Sequence, residues 1–170
     1  MGSSDSYILK NASLKRIHGG LHGIDLREPD VPVRGVKYVV GDLMKTDYPD
    51  GFFRNVTCLS VIEHEVDFRR FAKESSRLLE DHGRLFVTFD YWEPKLVSPI
   101  KMYDRGWQPL DKKAVKELIS ACRRRHLIPV EEMDWTLGDA VINKDYYSPH
   151  PSMSYTFGIL TFEKHPANRS

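Results

Sequence analysis

An apolar run ends abruptly at two ionisable side chains in the stretch Val56-Thr57-Cys58-Leu59-Ser60-Val61-Ile62-Glu63-His64. Arg54 and Asn55 precede the run and a helical pattern follows it, so it predicts a strand buried on both faces. In an open α/β sheet, ligands bind in the crevice at the carboxyl ends of the strands. Glu63 and His64 are therefore the first candidates for a ligand site.

The segments around this run alternate between strand and helix patterns. Short strands are expected at 21–26 and 36–40, and each ends close to an acid, Asp25 or Asp42. A helix is expected after Asp67 as N-cap, with Gly83 as its stop, and a second helix after Asp111. Further strands are expected at 84–89, 129–135 and 154–162, the last two antiparallel. This order predicts an α/β layered sheet with three crossover-type units and helices on both faces.

Composition indicates one ordinary globular domain. The chain has 170 residues, 41% of them hydrophobic and 29% charged, and its formal net charge is +1. This charge gives no case for nucleic acid or an anionic membrane as partner, and no apolar stretch approaches the length of a membrane span. The N-terminus has no signal-type apolar segment, so a cytoplasmic location is expected. Cys58 and Cys122 lack metal-ligand spacing, so buried free thiols are expected, with no metal site. Residues 1–6 are expected to be a frayed or added leader.

Four short motifs occur in an order that resembles one family. They are Gly23-Ile24-Asp25-Leu26, Gly41-Asp42-Leu43, Leu59-Ser60-Val61-Ile62-Glu63-His64 and Leu78-Leu79-Glu80-Asp81-His82-Gly83-Arg84-Leu85. Together they resemble class I S-adenosylmethionine-dependent methyltransferases of the small-molecule type, from about Leu21 to Phe162. The resemblance implies a Rossmann-like sheet, mostly parallel, with an antiparallel C-terminal strand.

The resemblance also implies roles for individual residues. Asp25, with Leu26 beside it, would accept hydrogen bonds from the cofactor's ribose hydroxyls, and Asp42 would accept one from the adenine amine, with Leu43 beside the ring. Ser60, Val61 and Ile62 would lie under the methionine part. Glu63 and His64 would face the substrate, with His64 as a candidate base. The structural alternatives are N-cap or turn roles for the two Asp residues and an orienting or capping role for His64.

One part of the family's pattern is not found in the sequence. Such methyltransferases begin with a strand, a glycine-rich turn of the GxGxG kind and a helix. Before Leu21 the glycines are Gly2, Gly19 and Gly20, which do not have that spacing. The domain, residues 1–170, is therefore expected to be truncated at its N-terminus. Tyr7–Leu9 could replace the missing strand, the neighbouring strands could close up, or a second chain could cover the gap as a homodimer.

Two functions remain open on these residues. The first is a shortened S-adenosylmethionine-dependent enzyme that methylates a small molecule and is impaired by loss of the glycine turn. The second is a non-catalytic remnant that acts as an oligomeric binding or scaffold protein. The connector 91–110 is a candidate lid. Its aromatic residues, with those near position 146, could cover a substrate or pack over the core edges: Trp92, Tyr103, Trp107, Tyr146 and Tyr147.

Overall fold

The computed structural model describes residues 20–102, 104–142 and 153–167. The chain divides into two compact units, 1–47 and 48–170. Several predictions lie outside the described residues: the leader at 1–6, a strand at Tyr7–Leu9, and the loop aromatics Tyr103, Tyr146 and Tyr147.

The first unit contains two parallel strands, β1 (Leu21–Asp25) and β2 (Val36–Val40). Both lie where the sequence predicted them, and they pair in register from Leu21 opposite Val36 to Asp25 opposite Val40. Their carboxyl ends therefore meet at one edge of the two-stranded sheet. The link between them, residues 26–35, contains no helix.

The second unit is built on a four-stranded sheet in the order β3-β4-β8-β7. Strand β4 is parallel to β3, while β8 is antiparallel to both β4 and β7. The antiparallel arrangement of the last two strands is therefore confirmed. A small hairpin, β5 and β6, lies in the connector after β4. The elements are β3 (Phe53–Leu59), α1 (Phe68–Leu78), β4 (Leu79–Tyr91), β5 (Lys101–Met102), β6 (Arg105–Gly106), α2 (Lys112–Arg123), β7 (Leu127–Pro129) and β8 (Thr156–Lys164).

Two helices cover one face of this sheet and form its core. As predicted, Asp67 caps α1 by accepting from the amides of Arg69 and Arg70, and Asp111 caps α2 by accepting from Ala114. The helices contact each other, so they share a face. The buried side chains of this layer are Phe71, Ala72, Leu78, Leu85, Val87, Phe89, Val115, Leu118, Cys122, Leu127, Leu160 and Phe162.

The opposite face of the four-stranded sheet is less covered. The register places Ile159 opposite Thr88 and Phe157 opposite Asp90, and Ile159 and Phe157 are 63% and 49% exposed. Within the described residues α1 and α2 are the α-helices, so the expected helices on both faces are not seen there. None of the helices in the described ranges is long and apolar enough to cross a membrane.

The predicted strand at 56–62 differs from the structure in its bounds and burial. It runs from Phe53 to Leu59 and, among the strands of the described residues, lies at an edge of its sheet; Arg54, Asn55 and Thr57 are exposed. Burial on both faces was therefore wrong for this strand. The chain turns at Ser60, whose φ is +48°, and the apolar residues that follow lie in the turn.

Two further element boundaries were wrong. Helix α1 ends at Leu78 and the chain enters β4 at once, so Gly83 does not stop the helix. A Cβ on Gly83 would lie 2.9 Å from the carbonyl oxygens of Arg54 and Glu80, which explains the glycine by close packing. The strand predicted at 129–135 is β7, which begins at Leu127 and ends at Pro129.

Candidate functional site

The edge where β1 and β2 end carries the two predicted acids of the first unit. Asp25 is the last residue of β1 and is 6% exposed, and its carbonyl accepts from the amide of Gly41 at 2.8 Å. Asp42 forms a turn, because its Oδ1 accepts from the Met44 amide at 2.8 Å. The turn role considered for Asp42 is therefore present. Leu26 is exposed and Leu43 half-buried.

In the second unit, the turn after β3 starts with an unusual backbone conformation. Ser60 has a φ of +48°, a region that non-glycine residues seldom adopt. Its amide donates to the carbonyl oxygen and to Oγ1 of Thr88, at 3.1 and 3.0 Å, which holds the turn against β4. Ser60 is exposed, whereas Val61 and Ile62 are buried.

Glu63 is a buried carboxyl group with unused hydrogen-bond capacity. The residue is 2% exposed, and among the described residues neither Oε1 nor Oε2 has a hydrogen-bond partner. Burial, with the nearby carboxyl of Asp90, raises the pKa of Glu63 to about 8, although the backbone N–H groups of Glu63 and Asp90 act against this shift. Glu63 is therefore protonated at neutral pH.

Asp90 is a site residue that the sequence analysis missed. It is the second-to-last residue of β4 and is 7% exposed. Its Oδ2 accepts from the indole Nε1 of Trp107 at 2.7 Å, and burial raises its pKa. An acid close after an apolar strand was the signal that singled out Asp25 and Asp42, and the run before Asp90 gave the same signal.

His64 is buried beside Glu63 in the same turn. It is 8% exposed, and its Nδ1 is buried without a hydrogen-bond partner among the described residues. Burial lowers the pKa of the imidazole, so the ring is neutral at pH 7. The cap of α1 is Asp67 and not His64, which removes the capping alternative for this residue.

The connector after β4 is fastened over this turn. The Gln108 amide donates to the Glu63 carbonyl at 3.0 Å, and the Leu110 amide donates to the Asp90 carbonyl at 2.8 Å. Trp107 is 4% exposed and packs edge-on against Tyr155, with ring centroids 5.2 Å apart. Residues 105–108 thus form a cover over Glu63 and Asp90. In this arrangement Trp107 packs into the core.

The site residues fall into two sets. Asp25, Leu26, Asp42 and Leu43 belong to the unit 1–47, and Ser60, Val61, Glu63 and His64 belong to the unit 48–170. The second set gains Asp90 and Trp107 from the structure. Within the described ranges no group of three or more His, Cys, Asp or Glu side chains could hold a metal ion.

Comparisons with known proteins agree on the fold. Residues 9–87 match the family model described as a methyltransferase domain. A comparison with curated proteins gives no significant match.

Solved structures of low sequence identity share the architecture. One is 1,6-didemethyltoxoflavin-N1-methyltransferase of Burkholderia thailandensis, with 17% identity, a TM-score of 0.56, and coverage of 85% of this chain and 61% of that one. Another is geranyl diphosphate C-methyltransferase of Streptomyces coelicolor A3(2), with 14% identity, a TM-score of 0.56, and coverage of 89% and 65%. A third is YcgJ of Bacillus subtilis, with 15% identity, a TM-score of 0.62, and coverage of 86% and 82%.

The chain spans about three fifths of the length of the first solved structures it matches, 61% and 60%. At these identities the likeness establishes the architecture. The chain has the class I S-adenosylmethionine-dependent methyltransferase fold, and its residues 9–87 match the methyltransferase domain family.

Proposed function

We propose that the protein binds S-adenosylmethionine and transfers its methyl group to a small molecule. The observation that carries this proposal is Asp25, a carboxyl group that is 6% exposed at the carboxyl end of β1, on the same edge as Asp42. A carboxylate has enough acceptor sites for two neighbouring hydroxyl groups, as a ribose presents them. Two of the solved structures with a similar fold contain bound S-adenosylhomocysteine. This supports S-adenosylmethionine as the cofactor of this chain.

The residues present suit this cofactor. Asp25, beside Leu26, would hold the ribose, and Asp42 and Leu43 the adenine, since Asp42 and the half-buried Leu43 lie at the same edge. Ser60 and Val61 keep their proposed place under the methionine part. When bound, the cofactor supplies a methyl group on a positively charged sulfur.

On the acceptor side, we assign the base role to His64. A neutral imidazole keeps one nitrogen lone pair, and burial holds His64 in that form. Glu63 is protonated below about pH 8, so without a ligand it is a hydrogen-bond donor and not a base. Both side chains lie in the turn after β3, where an acceptor would be aligned.

Calorimetric titration with S-adenosylhomocysteine tests the binding step. Wild type is expected to show saturable micromolar binding. Asp25→Asn is expected to weaken it by about 10- to 100-fold, because charge-assisted hydrogen bonds contribute about 1.5–3 kcal/mol. Asp30→Asn, the same change at an exposed position, serves as the control. Absence of binding by wild type at millimolar ligand would contradict the proposal.

The second candidate is a non-catalytic homodimer that uses the same fold as a scaffold. It is favoured by the position of β3 at a sheet edge and by the exposed Phe157 and Ile159, since exposed apolar surface tends to be covered by a partner. Light scattering measures the oligomeric state. A wild-type dimer that dissociates in Ile159→Lys, together with no cofactor affinity by calorimetry, would favour the scaffold. A monomer that turns over substrate would refute it.

We also propose a cytoplasmic location. Cys58 and Cys122 are both free thiols, which reducing compartments maintain. Cell fractionation tests this, and recovery from an oxidising compartment would contradict it.

A further inference from the structure

The carboxyl groups of Glu63 and Asp90, here called the acid pair, have more acceptor sites than donors. Asp90 Oδ2 receives one indole N–H from Trp107, while neither oxygen of Glu63 has a partner among the described residues. A buried carboxyl group without partners costs free energy. Such a cost persists where the group serves a ligand, because function and stability often oppose each other.

We propose that the acid pair binds a protonated amine, and that this amine is the methyl acceptor; the second part rests on the function proposed above. An ammonium group carries three donors, which would fill the empty acceptors of Glu63. Its charge would offset the repulsion between the two carboxylates.

An organic cation fits these residues better than a metal ion. No group of three metal-ligating side chains exists in the part of the chain that the structure describes. The acid pair supplies two carboxyl groups. Burial lowers the pKa of the neighbouring His64, so its ring is neutral and does not repel a cation. Cys58, the other titratable group near Glu63, stays a neutral thiol because burial raises its pKa. Two carboxylates with unfilled acceptor sites are a suitable lining for an alkylammonium.

The amine reaches the acid pair when the cover, residues 105–108, moves aside. Two hydrogen bonds hold the cover directly to the pair: Trp107 Nε1 to Asp90 Oδ2, and the Gln108 amide to the Glu63 carbonyl. The ammonium can take over the first of these as a donor to Asp90. Binding therefore exchanges a protein donor for a ligand donor and need not leave Asp90 unsatisfied.

Proton balance follows from the state of Glu63. The free site holds a protonated Glu63, so binding of an ammonium ion releases this proton to solvent. Before transfer, the ammonium gives one proton to the neutral imidazole of His64, the base assigned above, while the Glu63 carboxylate stays charged. The nitrogen lone pair then forms the N–CH₃ bond as the S–CH₃ electron pair stays on sulfur, and the positive charge passes from sulfur to nitrogen.

Calorimetry with 4-phenylbutylamine tests the site, with 4-phenylbutanol as the uncharged control. An alkylammonium titrates near the lysine value of about 10.4 and so stays charged up to pH 9. Titrations in buffers of different ionisation enthalpy should show about one proton released at pH 7 and almost none at pH 9. The alcohol should bind at least about tenfold more weakly.

Variants assign the effect to the acid pair. Glu63→Gln should abolish the proton release. Glu63→Gln and Asp90→Asn should each lower the affinity for 4-phenylbutylamine by about tenfold or more. Glu117→Gln, on the exposed face of α2, should change neither. Far-UV circular dichroism confirms that each variant is folded. Equal affinity for amine and alcohol, or no proton release at pH 7, would overturn the proposal.

S-adenosylhomocysteine binding, measured on the same samples, separates the two proposals. Binding of S-adenosylhomocysteine without the amine would refute the amine site and leave the methyltransferase function standing. Binding of the amine without S-adenosylhomocysteine would support the amine site and refute its role as a methyl acceptor.

Discussion

Glu63 makes the stability of the protein depend on pH. Its pKa is about 8 in the folded chain, against about 4.3 in an unfolded one. Between these pKa values the folded state keeps the proton and the unfolded state loses it. The free energy of unfolding therefore holds its full contribution from Glu63 below about pH 4 and loses it as the pH rises to about 8. The full shift corresponds to about 5 kcal/mol.

Glu63→Gln should remove this pH dependence. We expect the variant to gain stability relative to wild type as pH rises from 5 to 8.5, by about 4 kcal/mol, since the amide does not ionise. Urea unfolding at both pH values measures the difference. Glu117→Gln is the matched control, and a constant difference between Glu63→Gln and wild type at the two pH values would show that Glu63 is not buried as a neutral acid.

The ring of Phe89 packs so closely against Gly158 that this position has no room for a side chain. A Cβ at this position in β8 would overlap the side chain of Phe89, whereas a Cβ on Gly138 would meet nothing within 4 Å. Overpacking of a core typically costs about 1–3 kcal/mol. We therefore expect Gly158→Ala to lower the free energy of unfolding by that amount and Gly138→Ala to leave it nearly unchanged. Equal effects in urea unfolding would contradict this packing.

At the scale of elements, α2 depends on its N-cap residue, Asp111. Asp111 accepts from the Ala114 amide at 2.7 Å, and loss of such a cap typically costs about 1 kcal/mol. Asp111→Ala should lower stability by this amount in urea unfolding, while Asp111→Asn, which can still cap, should change it little. If Asn and Ala have the same effect, charge and not capping is the cause.

The elements also show what sequence patterns can predict. The N-caps Asp67 and Asp111 and the strands β1, β2 and β8 were predictable, because local hydrogen bonds and alternation determine them. The end of α1 and the length of β7 were not. Leu78 and Leu79 are both apolar and both buried, so nothing in the pattern separates the last helical residue from the first residue of the strand.

The site itself was partly predictable for the same reason. Glu63 and His64 follow an apolar run, and their position at the sheet edge followed from the pattern. Asp90 becomes a site residue through Trp107, which lies 17 positions further along the chain. A contact of this kind depends on the path of the connector, which sequence periodicity does not contain.

For the whole molecule, cofactor binding should raise thermal stability. At 100 times its dissociation constant a ligand stabilises by about 2.7 kcal/mol, which for a chain of this size is about 5–10 °C in the melting midpoint. Scanning fluorimetry with S-adenosylhomocysteine measures the shift, and Asp25→Asn should reduce it. Homocysteine, which lacks the adenosine part of the ligand, is the control at the same concentration. An equal shift with homocysteine would show a non-specific effect.

The two cysteines report how different parts of the second unit open. Cys58 lies in the edge strand β3 and Cys122 in the helix α2, and both thiols are buried, with 7% and 0% exposure. A thiol reagent can reach each sulfur only during a transient opening of its surroundings. Peptide mapping separates the two alkylation rates. The rate at Cys58 therefore measures how often the edge strand β3 opens, and the rate at Cys122 measures how often the core around α2 opens.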